Sequence, residues 1–565
     1  MYACLQFVLV MTTANAQWDN KPASVYNPVS TAPTNDSYAY TATDGAGGII
    51  AVWNATDFNT NTAAGVYCQR KTSTGLVLWG DTSNPVILAD NFPPFTSVAV
   101  EDVKPDGNGG AFITWNLEYN EMDEIRLQHI DRNGVELYVH GGMQIVPVVG
   151  NYAYGAKLCP DATGFFVSWT EQVFPADSLV PTYAEVRVQR YNTAGVPQWS
   201  TALPVSTVQA LRSEGQLVSD GSGGVLIAFL DTRNSTMDAE GNFDNIDLYA
   251  QHISSSGSRL WGAQDAVVST EAYNQVPISD GGSEIFTSIT TDSAGGFILV
   301  YEDYRSDNNG EATLYAQRMN SSGGRLWAPG GVELYVPFAD SYTNLTQVLS
   351  DGANGMVACW DINYINGDGD IYVQRITATG NKAWGAARVR VNPLFTSGGY
   401  FDQSTLAADG AGAYVAAWTN KIDFSIQAQK INNAGQLQWD TSGVYVCTNP
   451  FSAPSRPILT KSNGSNMIVL WGDKRNIFNN GNDDLYAAKI NSSGNLIGAV
   501  VFVSIANGNW NDPATWQEGM VPVAGVDVVI QTAVVGNTDA VCNTLTVQAP
   551  GSLTVNTGIH ITVLH

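Results

Sequence analysis

Positive charge is scarce in this chain: 26 Lys and Arg stand against 52 Asp and Glu, a formal net charge of −26 with a pI near 4.3. Proteins hold a phosphate backbone through Lys and Arg that displace its counterions, so this balance argues against nucleic acid as a partner. It suits a soluble, extracellular and cation-rich setting. Long apolar helical stretches are missing from the 565 residues, and with 10% aromatic and 14% charged residues this favours an all-β chain with a large core. No stretch beyond the first sixteen residues approaches the length of a membrane span. Cysteine is sparse as well: Cys4 lies in an apolar leader, and the remaining five occupy unrelated places that spell no disulfide framework. Cys359, set among strand residues, reads as a small buried side chain.

What the chain has is repetition. An Asp-led glycine turn appears as Asp44-Gly-Ala-Gly-Gly48, Asp106–Gly110, Asp161–Gly164, Asp220–Gly224, Asp292–Gly296, Asp351–Gly355, Asp409–Gly412 and, divergently, Ser462–Asn466. Successive turns are 53 to 72 residues apart, a period that signals a propeller or a solenoid. Each turn supplies the positive φ values of a tight hairpin and is followed by an apolar strand. That strand ends in Trp53, Trp115, Trp169, Phe229, Tyr301, Trp360, Trp418 or Trp471. Eight aromatics in one slot are core.

A later strand carries Gln69-Arg70, Gln128-His129, Gln189-Arg190, Gln251-His252, Gln317-Arg318, Gln374-Arg375, Gln429-Lys430 and Ala488-Lys489. His129 and His252 therefore stand where other copies carry Arg or Lys, and are not metal ligands. Four residues after the next turn glycine comes Trp79, Tyr138, Trp199, Trp261, Trp327, Trp384 or Trp439, while the eighth copy has Gly498. Four short antiparallel strands per unit, eight times over, predict an eight-bladed β-propeller.

Residues 1–16 read as a secretory signal peptide that ends in a small-x-small pattern at Ala16, without a basic n-region. Gln17-Trp18-Asp19 and the strand after it resemble Gln438-Trp439-Asp440 with its downstream strand. The N-terminal strand is thus expected to complete the last blade of a propeller over residues 17–504; the rival is that residues 499–503 complete it. From residue 505 the pattern changes. Leu545-Thr-Val547, Leu553-Thr-Val555 and Ile561-Thr-Val563 recur about every eight residues, predicting a small β-helix-like or sandwich-like module over 505–565. The sequence stops in mid-pattern, so the chain reads either as ending in a compact cap or as a fragment of a longer surface protein.

The Asp-x-x-Gly-Gly turn, the Trp-x-Asp-x-Arg segment, the Tyr-x-Gln-Arg strand and the Gly-x-x-Leu-Trp ending resemble those of secreted bacterial surface propellers exported through a type IX system. Gly508-Asn-Trp-Asn-Asp-Pro-Ala-Thr-Trp516 resembles a β-rich module that often follows in such proteins. The resemblance implies export and a surface location, but no shared reaction.

Candidate function lies in the variable loops after the aromatic strand, because such loops on a rigid scaffold are the usual home of binding. They offer Asp238, Glu240, Phe243, Asp244, Asp307, Glu311, Tyr364 and Phe478, with the aromatics expected to be exposed. Asp231/Arg233, Asp303/Arg305 and Asp473/Arg475 repeat one spacing and read as structural ion pairs rather than chemistry. No cofactor is called for. Asn366, Asp368 and Asp370 offer oxygen ligands to Ca²⁺ on a run shorter than an EF-hand loop, and a solvated turn is the plainer reading.

Three classes follow: a non-catalytic binding or adhesion module for glycan or protein, a glycan-processing hydrolase or lyase, or a structural spacer. The aromatic nine residues after each turn Asp departs from the sialidase Asp-box, and no unrepeated carboxylate pair is evident, so no catalytic residue is assigned.

Overall fold

A computed structural model describes residues 18, 27–57, 62–93, 95–119, 122–146, 152–173, 183–237, 243–276, 289–308, 311–337, 341–364, 369–386, 388–392, 401–448, 454–474, 483–498, 501–516, 521–522, 527–542 and 545–563. The expected leader, residues 1–16, lies outside these. Two compact units form, Pro22–Asn495 and Leu496–His565 together with Met1–Lys21.

The first unit is an eight-bladed β-propeller of antiparallel blades. Blade 1 runs from the axis outward through Asn35–Thr43, Ile49–Thr56, Ala63–Lys71 and Val86–Ala89. Later blades repeat this order, except that in blade 5 two short strands, Gln275–Val276 and Ile289–Thr291, share the inner position. Blade 8 takes its inner three strands from Ser455–Lys461, Met467–Asp473 and Asp484–Ile490, and its outermost from Pro28–Ser30. The N-terminal strand pairs Pro28 with Tyr486 and Ser30 with Leu485, so the ring is sealed by the two ends of its own sequence.

The repeated residues explain why blades stack. In the blade 5 turn, Asp292 Oδ1 accepts from the backbone N–H of Ala294 and Gly296 at 2.8 and 2.7 Å, fixing the hairpin. Its Oδ2 accepts from Arg318 Nη2 at 2.9 Å, and Arg318 Nη1 donates 3.0 Å to the Ala378 carbonyl of the next blade. Trp327 Nε1 donates to that same carbonyl at 3.0 Å. Gln317 fixes the Trp, accepting from its backbone N–H at 3.2 Å and donating to the Ala328 carbonyl at 2.7 Å. Gly380 of blade 6 lies under the ring with φ +82°, where a Cβ would sit 3.1 Å from Trp327 Cδ1. Glycine is needed there twice, for its backbone and for its missing side chain. Every aromatic at the end of the second strand is buried, from Trp53 to Trp471.

The second unit is a parallel coil. Val501–Val503, Asp527–Ile530 and Leu545–Val547 stack as one face, and Gly508–Asn509, Ala533–Gly536 and Ser552–Val555 as another. Ala540–Cys542 pairs with Ile561–Val563 as a third. The three segments spaced about eight residues apart in sequence are therefore successive faces of one turn, each in a different sheet. Trp510 and Trp516 meet edge to face at 5.2 Å inside, with Phe502, Val528 and Ile530. Trp18 is buried. Each of the five described cysteines is a buried thiol. Among the described residues, no helix is long and apolar enough to cross a membrane.

Candidate functional site

Each inner strand is the edge of its blade's sheet on the side of the propeller axis, so irregularities in it turn side chains into the channel. The register slips between Ser37 and Tyr40 in blade 1, Asp402 and Thr405 in blade 7, and Ser455 and Ile458 in blade 8. At these bulges Tyr38, Gln403 and Arg456 take left-handed φ values of 52°, 55° and 50°. Blade 3 slips at the same place but puts Gly155 there, at φ 68°. Left-handed backbone costs a residue with a Cβ about 1–2 kcal/mol, a cost glycine escapes. Three blades keep a large polar or aromatic side chain at that cost, and such strain gathers where a protein binds or reacts.

The three residues line one cavity of about 620 Å³, walled by inner strands of blades 1, 2, 6, 7 and 8. That volume lies in the range of about 300–1,000 Å³ common to small-molecule sites. Its wall runs in blade 1 from Tyr38 to Gly47 and in blade 8 from Arg456 to Asn463, the half of the channel nearest the Asp-led turns. The Arg456 guanidinium lies 4.1 Å from the centre of the Tyr38 ring, across the seam between blades 8 and 1. Gln403 Oε1 accepts from the Arg456 backbone N–H at 2.9 Å, and Gln347 Oε1 from Leu406 N–H at 2.9 Å, so the bulges are tied blade to blade. Thr41 and Thr460 join hydroxyls at 2.8 Å. Among the described lining residues, Asp102 is the one carboxylate, and it is taken by Lys104 Nζ at 2.7 Å and Leu158 N–H at 2.9 Å.

The variable loops lie elsewhere. Asp238, Glu240, Phe478, Asn366, Asp368 and Arg475 fall outside the described residues. Phe243 and Tyr364 are half-buried rather than exposed, and neither lines the cavity. Asp244 accepts from Thr236 N–H at 2.7 Å and Thr236 Oγ1 at 2.6 Å, bonds that hold its carboxyl below the usual range and spend it on its own loop. Asp307 and Glu311 belong to the two long strands of blade 5, on either side of their connection, and their side chains lie outside the described residues. Asp370 receives Arg390 Nη2 at 2.5 Å and the Tyr372 hydroxyl at 3.2 Å. A guanidinium so close competes with any cation for that carboxylate.

Asp231 accepts from Arg233 Nη2 and Arg212 Nε, both at 2.7 Å, and Arg233 also reaches Asp265 at 2.8 Å while lying 3.7 Å over the Tyr249 ring. Asp303 pairs with Arg305, which lies 4.1 Å over Tyr315. Asp473 accepts from Trp471 Nε1 at 2.9 Å. Glu185 of the blade 3 strand Tyr183–Asn192 and Asp247 adjoin this set through Arg212 and Asn234, and burial lifts the Glu185 carboxyl to about 7. Every carboxylate in it is bonded to a neighbouring side chain.

His129 and His252, which in isolation resemble halves of catalytic dyads, sit 3.0 and 2.8 Å from Asp106 and Asp220. They fill the place that Arg318 fills against Asp292. Reading repeats for what they share thus located the braces and missed the cavity. One signal for it was present: Pro457 inside a strand, which marks an edge or a bulge.

No protein-family model matches the chain, and no curated protein matches it. Solved structures show a distant likeness. A puromycin hydrolase mutant in complex with PGG is 10% identical, with a TM-score of 0.40, covering 81% of this chain and 61% of its own length. An ulvan lyase, from a new polysaccharide lyase family, is 10% identical with a TM-score of 0.35, covering 70% of this chain and 92% of its own. A protein of unknown function from Dyadobacter fermentans DSM 18053 is 9% identical with a TM-score of 0.32, covering 60% of this chain and 94% of its own.

Proposed function

We propose that the chain is an exported, cell-surface binding propeller that holds a glycan without reacting with it, and that the seat of binding is the axial cavity rather than the variable loops. The observation that carries this reading is the Tyr38–Arg456 pair, two strained residues that present an aromatic face amid the amides of Gln347 and Gln403 and the hydroxyls of Thr41, Thr405 and Thr460. An aromatic face with surrounding amides and hydroxyls is the chemistry that packs on a sugar ring and bonds its hydroxyl groups. Glycoside hydrolysis asks for two facing carboxylates, and the described lining offers Asp102 alone, already bonded. Export is supported by the apolar leader and the acidic composition.

The test is a glycan array read with and without Ca²⁺, followed by chromatography of whichever glycan binds. Retention of one glycan class, intact, is expected, and it should be lost in Tyr38→Ala. Silence across the array, or release of shortened products, would sink the proposal. A signal that needs Ca²⁺ and survives Tyr38→Ala would return the site to the loops.

A further inference from the structure

Two glutamines of the cavity wall carry more than their seams require. Gln347 lies in the blade 6 strand Ser341–Ser350 and Gln403 in the blade 7 strand Phe401–Ala408, both half-buried and both lining the cavity. Each carbonyl oxygen is doubly engaged. Gln347 Oε1 accepts from Leu406 N–H at 2.9 Å and the Thr405 hydroxyl at 3.3 Å, and Gln403 Oε1 from Arg456 N–H at 2.9 Å and the Thr419 hydroxyl at 3.4 Å. Those bonds settle which end of each amide is oxygen, and the NH2 ends are left over. Among the described residues, neither Nε2 has a hydrogen-bond partner and neither is closed off in the core. Blade 2 shows that the seam itself asks only for an oxygen. There Asp102 occupies the slot of Gln347, and its Oδ2 accepts at 2.9 Å from Leu158 N–H, the counterpart of Leu406. The NH2 groups of blades 6 and 7 are therefore surplus to the architecture, and a donor held at a cavity wall must be answered by water or by a ligand. The two need no shared atom to act together. Thr405, which bonds Gln347, is two residues along the strand from Gln403, so the amides stand on neighbouring blades one bulge apart.

Resting on the glycan reading above, we propose that the ligand is an acylated saccharide, with carbonyl oxygens of its acyl groups accepting from the amide N–H groups of Gln347 and Gln403. A sugar hydroxyl that accepts from such an amide still has its own O–H to place, whereas an acyl carbonyl only accepts. The acyl methyl is apolar, and the wall supplies Val103, Pro457 and Ile458 together with the Tyr38 ring. Ester-linked and amide-linked acyl groups present the same carbonyl.

The experiment measures, by calorimetry on the full chain, the binding of three tetrasaccharides with one β-1,4-linked glucose backbone: cellotetraose, its partly O-acetylated form, and chitotetraose, which carries an N-acetyl group on every ring. At least one acetylated probe is expected to bind about tenfold tighter than cellotetraose, and which one does so identifies the acyl linkage. Gln347→Glu and Gln403→Glu keep an oxygen for the neighbouring blade and replace the NH2 by a second acceptor, ionised at about pH 8. Each should cut affinity for the acetylated probe about tenfold, affect cellotetraose much less, and leave the thermal midpoint near that of the unaltered chain. The ranking of the three probes needs no variant, so it decides the acyl assignment even where a substitution unfolds the chain. Equal binding of the three, or equal losses for all of them in the variants, would overturn the acyl assignment and leave the glycan reading standing. An acetyl preference untouched by both substitutions would overturn the site. Absence of binding to all three would overturn the acyl proposal, and the glycan reading falls with it only if the array is silent as well.

Discussion

At seven of the eight seams between blades an indole or phenol bonds a backbone carbonyl of the next blade, and at the seam that closes the ring the described bonds come from other side chains. In its fullest form an ordinary seam uses an aspartate to hold a turn, a basic residue to join that aspartate to the next blade, and an indole or phenol on the same carbonyl. Arg132, Thr193 and Ala378 each supply that shared carbonyl, while Asn433 takes Trp384 on its carbonyl and Arg375 on its side chain. Blade 8 has Ser462 where the aspartate belongs, Ala488 in place of the glutamine and Gly498 in place of the Trp. Lys489 Nζ keeps the ordinary reach to the next blade, donating 2.8 Å to the Ser73 carbonyl, while Ser462 Oγ donates to the Gly47 carbonyl and Lys71 Nζ donates 3.0 Å to the Pro28 carbonyl. A repeated seam can be inherited blade by blade, whereas a closure between distant ends must be solved once.

The comparison breaks most visibly if the closing strand is removed. A chain beginning at Thr31 leaves Asp484–Ile490 as a bare edge, and it should lose its single sharp thermal transition and aggregate on heating; unchanged unfolding would mean that residues 499–503 can stand in. Next in size, Trp327→Ala in an ordinary seam removes a buried ring and its bond to Ala378, with an expected loss of about 3–5 kcal/mol by denaturant unfolding. A loss below about 1 kcal/mol would deny the indole its place in the seam.

The smallest effect concerns pH at the closing seam. Asp36 is lifted to about 7 by burial, with the Asp484 carboxylate adding to the rise, against the bonds it accepts from Ser30 and from Thr34 at 2.8 Å. Burial drops Lys71 to about 8. Because the folded pKa of Asp36 exceeds its unfolded value of 3.8, its stabilising contribution is present below about pH 4 and lost as pH rises through 7. The folded pKa of Lys71 lies below its unfolded value of 10.5, so its contribution is present above about pH 10.5 and lost as pH falls through 8. Between pH 7 and 8 the seam lacks both. Asp36→Asn should therefore stabilise by about 1–2 kcal/mol at pH 8 and by much less at pH 4, read from unfolding midpoints at the two pH values. Equal effects at both would remove Asp36 as the cause.

Local chemistry made the architecture legible. Asp-led glycine turns, the buried aromatic slot and the Gln-basic pair each act within one hairpin or between neighbouring blades, so each recurs with the repeat. The vacant Trp position at Gly498 pointed to the closing blade for the same reason. The cavity was not legible, because its wall is gathered from five blades and its key residues occupy bulges without a glycine to announce them. Tyr38, Gln403 and Arg456 share a conformation, not an identity, and an alignment of letters cannot display that. The loop residues Asp244 and Asp370 drew attention through their charge, which the fold uses for internal bonds.

Pro28–Ser30 is synthesised before any other strand of the ring, and its partner Asp484–Ile490 after all the others of the ring. Blades 1 to 7 can assemble in chain order through contacts of modest sequence separation, but the last step must close a loop around the whole ring. A chain interrupted anywhere before Asp484 would be an open arc with a waiting strand at one end and an uncovered blade face at the other. Two such arcs carry the means to join each other, so for this ring an unfinished molecule is an adhesive one.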